Sequence, residues 1–130
     1  MHMIIVHGTF PIKPELREEA LELMRRMSVA SKDEYGCISY EFYTGLTDPN
    51  TFLLFQEWEN VEALQGHFQT DHMEEFLKAL PDVLNGEVMT RRYEVRSTDE
   101  LGYEDDEESL AEFEPDQSGD SSAYREKIVH

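Results

Sequence analysis

Hydrophobic and polar positions along this chain switch between a spacing of two and a spacing near four, and each switch marks an element. Residues Met3 to Lys13 alternate and are rich in Ile, Val, Thr and Phe, which predicts a strand ended by Pro11 and Pro14. From Pro14 onward apolar residues recur at Leu16, Ala20, Leu23, Met24, Met27 and Ala30, the signature of one buried helix face. On the opposite face Glu15, Glu18, Glu19 and Glu22 precede Arg25 and Arg26, the order that the helix dipole prefers. Tyr35-Gly36 breaks this helix. Two further strands, Cys37 to Leu46 and Thr51 to Glu59, flank the turn-forming tetrad Thr47-Asp48-Pro49-Asn50 and should pair as a hairpin. Asn60 can cap a short helix over Val61 to Phe68. Asp71, with Glu74 three residues on, has the spacing of a capping box that opens a helix over Met73 to Leu80. Pro81 should end the regular helix, with one further turn through Val83 and Leu84 allowed. Asn85-Gly86 then turns the chain into a last strand, Glu87 to Arg96, marked by Val88, Met89, Tyr93 and Val95.

Strand, helix, strand, strand, helix, strand is the split βαβ plan of a ferredoxin-like α+β fold, a four-stranded antiparallel sheet with its helices on one face. The other face is then bare. In the third strand Phe52, Leu54 and Trp58 fall on one side and Leu53 and Phe55 on the other, so neither side reads as a plain solvent face. Covering the bare side would hide about 600 to 1,000 Å² per subunit, on the order of 15 kcal/mol before association costs. A two-fold homodimer is the economical solution.

Charge divides the chain of 130 residues near position 97. The net charge is -18, yet residues 1–97 hold 9 Lys/Arg against 17 Asp/Glu, whereas residues 98–130 hold 2 against 12. Glu104 to Glu108, Pro115, Ser118, Gly119 and Ser121-Ser122 give this second stretch the composition of a solvated acidic tail; Leu101, Tyr103, Leu110 and Phe113 lend it some docking capacity. So acidic a surface repels phosphates, which disfavours nucleic acid as a partner. No run of about 18 apolar residues is present, and Met1 to Val6 lacks the basic region and cleavage site of a signal peptide, so a cytoplasmic protein with no membrane association is expected. Cys37 is the single cysteine and reads as an inert, buried thiol. No Gly-rich phosphate loop, no Gly-x-Ser-x-Gly elbow and no Cys/His quartet occurs.

The run Gly36-Cys37-Ile38-Ser39-Tyr40, then Phe55-Gln56-Glu57-Trp58-Glu59-Asn60, then Ala63-Leu64, His67, Thr70 and His72-Met73 resembles the antibiotic biosynthesis monooxygenase family, and within it the small bacterial quinol monooxygenases. The likeness covers residues 1 to 96 in the same element order. It implies a dimeric α+β barrel made of two facing ferredoxin-like sheets, with a pocket in each subunit between sheet and helices. It also implies oxygenation of hydroquinones or related polyphenols by dioxygen with neither metal nor flavin. The same superfamily includes haem-degrading enzymes, isomerases of small phosphorylated signals, and members with no known reaction. The haem-degrading pattern wants an Asn in the first strand, a Trp in the helix after the Trp-ended strand and a haem-ligating His in the next helix. His7, His67 and Phe76 or Leu77 occupy those places here, so the axial ligand is missing.

An electron-rich phenolate can pass an electron to dioxygen without a metal, whereas the neutral phenol does so poorly. The protein must therefore remove a proton and shield the anion. A phenol near pKa 10 and an imidazole near 6.5 leave roughly 5 kcal/mol of uphill transfer for positive or hydrogen-bonding groups to reduce. His67 and His72 are the candidate bases. His67 lies beside the inward Leu64 and Phe68, and His72 opens the second helix one turn before Phe76. Each could instead bind a backbone carbonyl at a helix junction. No metal site is expected from them, because five positions and a capped break separate them, unlike the His-x-x-x-His zinc motif. Trp58 and Tyr40 are candidates for shaping a substrate pocket, His7 for touching substrate, and Arg92 or Arg91 for reaching an oxyanion, against the plainer roles of core anchor, cross-strand packing and surface ion pair. Glu57 reads as an acid at the dimer interface. The expected function is a cofactor-independent monooxygenase; the alternatives are a small-molecule-binding stress-response protein of the same fold and an isomerase of a small phosphorylated ketone, which would need an anion site.

Overall fold

Alternating β-branched and aromatic residues build four strands, β1 (Met3–Pro11), β2 (Cys37–Thr44), β3 (Thr51–Trp58) and β4 (Met89–Val95), in the computed structural model of the protein, which describes residues 2–96. The acidic appendage expected from residue 98 lies outside the described residues. Helices α1 (Arg17–Lys32), α2 (Val61–His67) and α3 (Asp71–Val83) complete the split βαβ plan, with its second helix in two pieces. Every strand pair is antiparallel, and the spatial order is β2-β3-β1-β4. The fold is a ferredoxin-like α+β sandwich.

Register decides which residues meet the helices. Ile4 lies opposite Trp58, Val6 opposite Gln56, Gly8 opposite Leu54 and Phe10 opposite Phe52, so these residues share one face. Ile4, Phe10, Phe52, Leu54 and Trp58 are buried there against Ala20, Leu23, Met24 and Met27 of α1, Ala63 and Leu64 of α2, and Phe76, Leu80 and Val83 of α3. The odd-numbered set forms the opposite face. On it Tyr43, Leu53 and Met89 are exposed, and Ile5, Phe55, Tyr93 and Val95 are only partly covered.

Several boundaries differ from the sequence expectation for local reasons. β1 stops at Pro11; Ile12 forms an isolated bridge to Leu84 and donates its N–H to the Asn50 carbonyl at 2.8 Å. Pro14–Leu16 is a turn of 3-10 helix ahead of α1, where proline's missing N–H costs nothing. The cap of α3 is Thr70, not Asp71 paired with Glu74: Thr70 Oγ1 accepts from the Met73 N–H at 3.3 Å, and Asp71 is already helical. α3 also runs through Pro81 to Val83. Pro81 forfeits only the bond to Leu77's carbonyl, on an exposed flank where water can serve. Asn60 caps α2 as expected, its side chain accepting from the Ala63 N–H at 2.9 Å.

The turn that follows α1 fixes where Glu34 sits. Gly36, at φ +80°, joins α1 to β2, and its carbonyl accepts from the Glu59 N–H at 2.8 Å. A Cβ at this position would collide with the Cβ of Ala63 on α2, so glycine is required both by backbone conformation and by close approach. This contact presses the end of the α1 segment, including Glu34, onto the α2–α3 junction.

Candidate active site

The helix-facing side of β1 and β3 does not pack fully against the helices. It leaves a cleft of about 350 Å³ walled by Val6, Gly8 and Phe10 of β1, Leu54 and Gln56 of β3, Tyr40 of β2, and Phe68, Met73, Phe76, Leu77 and Leu80 beyond. The walls are mainly apolar and the polar groups few, the usual character of a small-molecule site. His67 is one of those groups. As the last residue of α2 it is 1% exposed, beside the rings of Tyr40 at 5.4 Å and Trp58 at 4.9 Å between centroids.

Glu34 orients this imidazole. Its Oε2 lies 2.7 Å from His67 Nδ1 and 2.7 Å from His72 Nε2, so one carboxylate oxygen joins both rings. A carboxylate only accepts, and both imidazoles therefore donate to it. His67 then carries its proton on Nδ1 and keeps a lone pair on Nε2, an atom that is buried and has no hydrogen-bond partner among the described residues. Burial pushes the pKa of His67 below the usual histidine range, with the neighbouring His72 adding to that, while the bond to Glu34 and its charge pull the other way. The ring is neutral at pH 7, ready to accept a proton at Nε2.

Tyr40 lines the cleft and is 1% exposed; burial holds its phenol protonated, well above the usual tyrosine range, so it serves as a donor or as packing. Arg92, on the helix-facing register of β4 opposite Val6, borders the cleft, as does Arg91. Both arginines are exposed in the single chain. Three other residues chosen from the sequence stand elsewhere. Trp58 is fully buried and does not line the cleft; it backs His67 from within the core and donates its indole N–H to Gln56 Oε1 at 2.7 Å. His7 pairs with Phe55 and Arg91 on the sheet's other face, 3.0 Å from the Tyr93 hydroxyl, because the period of two turns it away from Val6 and Gly8. His72 lies behind Glu34, outside the cleft lining, with 27% of its side chain exposed. Of the two candidate bases, only His67 borders the cleft.

Two site residues escaped the sequence reading. Gln56 had a signal, an amide at an inward strand position between Leu54 and Trp58. Glu34 had a faint one, an acid just past a helix C-terminus, where the dipole disfavours negative charge. Glu57, expected at an interface, accepts from the Ser39 hydroxyl at 2.7 Å on the bare face. Cys37 is partly buried, and burial with the Glu34 charge raises its thiol to about 11, so it stays protonated and inert. The separation that argued against a metal site is bridged by folding: one ligand atom each from Glu34, His67 and His72 lie within 4.8 Å of one another.

A ferredoxin-like sheet whose covered face holds an apolar cleft beside one oriented imidazole defines an α+β domain with a cleft of small-molecule size. The chain belongs to the antibiotic biosynthesis monooxygenase family, whose model matches residues 3–79. It is 39% identical over 98 residues, 75% of this chain and 67% of the other, to an uncharacterised protein of Synechocystis sp.. It is 27% identical to YcnE of Bacillus subtilis, provisionally named a monooxygenase, over 72% of this chain and 98% of that one. Among solved structures, a conserved protein from Methanosarcina mazei superimposes with TM-score 0.70 at 28% identity, covering 74% of this chain and 95% of that one. These relationships support a general monooxygenase-like function. No helix among the described residues is long and apolar enough to cross a membrane.

Proposed function

We propose that this protein is a cytoplasmic, homodimeric, cofactor-independent monooxygenase that oxidises a hydroquinone or similar polyphenol with dioxygen. The observation that carries this reading is that His67, a residue lining an apolar cleft, has its Nδ1 held by Glu34 at 2.7 Å and its buried Nε2 unpartnered among the described residues. His67 Nε2 takes the phenolic proton, and the imidazolium so formed stays paired with Glu34, the triad logic of an oriented base. Burial that keeps the ring neutral also weakens it as a base, so the transfer is uphill by at least the roughly 5 kcal/mol separating phenol from ordinary imidazole. Arg92 at the cleft border supplies positive charge to the phenolate, and Tyr40 a hydrogen bond. The apolar walls then hold a desolvated, easily oxidised anion for dioxygen.

The bare face of the sheet supports the homodimer, with Leu53, Phe55, Tyr93 and Val95 meeting their symmetry mates across a two-fold axis. Oxygen uptake with a panel of hydroquinones tests the activity. Wild type should consume oxygen above buffer autoxidation, and His67→Ala should lose about 10²- to 10⁴-fold in rate. His72→Ala, which touches Glu34 but does not line the cleft, should lose far less. Tight binding of aromatics without any uptake would identify a binding protein instead, and an ordered phosphate beside Arg91 or Arg92 would favour an isomerase.

A further inference from the structure

We propose that Glu34, His67 and His72 form a binding site for a divalent first-row transition-metal cation, and that the bound cation turns the base of the active site off. Two imidazole nitrogens and one carboxylate oxygen are a donor set for Zn²⁺, Ni²⁺, Cu²⁺ or Fe²⁺ and a poor one for Mg²⁺ or Ca²⁺, which want oxygen. The ligand atoms come from three chain segments and already converge, Glu34 Oε2 lying 2.7 Å from each ring nitrogen. Bond lengths of about 2.0 to 2.2 Å around a tetrahedral ion place ligand atoms about 3.4 Å apart, so the carboxylate must draw back from each ring by about 0.7 Å, and the two ring nitrogens, within 4.8 Å of each other, must close to about that spacing, a movement of up to about 1.4 Å. The carboxylate can be approached from outside. Glu34 also lines a surface hollow with Asn60, Ala63, Gly66 and Thr70, and the side chains of Glu34 and His72 are 12% and 27% exposed. The net charge of -18 concentrates cations around the molecule.

The cation replaces the two hydrogen-bonded protons. Each neutral ring keeps one proton, which moves to its other nitrogen: from Nδ1 to Nε2 in His67, and from Nε2 to Nδ1 in His72. No net proton is released when both rings start neutral. His67 Nε2, whose lone pair is the acceptor of the phenolic proton, thereby becomes an N–H donor and cannot act as a base. This second half rests on the proposed monooxygenase reading; the binding half does not.

Titration calorimetry of the chelator-stripped full chain with ZnCl₂ near pH 7.5 tests the site, with the visible absorption of Co²⁺ reporting nitrogen ligation. One saturable site per chain is expected, unaffected by excess Ca²⁺, and Glu34→Gln and His72→Asn should each weaken it about tenfold or more. Circular dichroism checks that both variants fold; His72, partly exposed, is the safer of the two. Absence of saturable Zn²⁺ binding, or variants that bind like wild type, would overturn the site, the latter placing the ion on acidic side chains elsewhere. Saturating Zn²⁺ should suppress hydroquinone-dependent oxygen uptake, and undiminished uptake with the ion bound would overturn the switch. An enzyme with no uptake even without metal would refute the activity and leave the calorimetric result standing.

Discussion

His67 gains its character from two neighbours of opposite effect. Burial in the cleft wall lowers its pKa, and Glu34 raises it part of the way back. The active form is the neutral ring, so the rate should fall as pH drops through the His67 pKa, which lies below the unperturbed value near 6.5. Glu34→Gln removes the raising influence. Its pH–rate profile should show the acid limb moved to lower pH and a plateau about 10- to 100-fold lower, because the ring loses the carboxylate that fixes its orientation. A wild-type acid limb in this variant would show that the carboxylate does not raise the imidazole's pKa, and a wild-type plateau that it does not orient the ring. His67, Tyr40 and the Arg91-Arg92 pair, which border the cleft, could be singled out in the sequence by residue type and by their place in the elements. Glu34 was not, since in a chain so rich in acids only tertiary contact distinguishes the one that meets two imidazoles. Trp58 takes the core-anchor role instead of lining the cleft, and His7 lies on the other sheet face, for a simpler reason. A period assigns a residue to a face but does not tell a core position from a cleft wall, nor which sheet face the helices cover.

At the scale of elements, the site depends on two junctions. Gly36 lets the end of the α1 segment approach α2, and Thr70 ties α2 to α3: its hydroxyl donates to the His67 carbonyl at 2.7 Å and accepts from the Met73 N–H. Thr70→Val removes both bonds with little change in shape. It should cost about 1 kcal/mol, a fall of about 4 to 8 °C in Tm by scanning calorimetry, and reduce turnover as His67 loses its fixed position against Glu34. An unchanged Tm would mean that water replaces the hydroxyl at no cost. The order and type of the elements followed from periodicity, and the Asn60 cap from its side chain. The cap of α3 did not, because Thr70, Asp71 and Glu74 all offer oxygen near the helix start, and only the backbone path selects among them.

The whole molecule poses the question of its uncovered sheet. That this face carries large apolar residues among its polar ones was legible from Leu53 and Phe55; what covers it was not, because complementarity to a second copy is a property of shape. Leu53→Glu would bury a carboxylate in the proposed self-contact. Light scattering coupled to size exclusion should show a dimer for wild type and a monomer for this variant, and a wild-type monomer would remove the two-fold assembly. Finally, the chain contains a single tryptophan, fully buried, its ring 4.9 Å from that of His67. Imidazolium quenches indole emission by accepting an excited electron, and neutral imidazole does so weakly. Intrinsic fluorescence should therefore dim on acidification with the same midpoint as the rate, an optical readout of one proton that needs no label and no turnover.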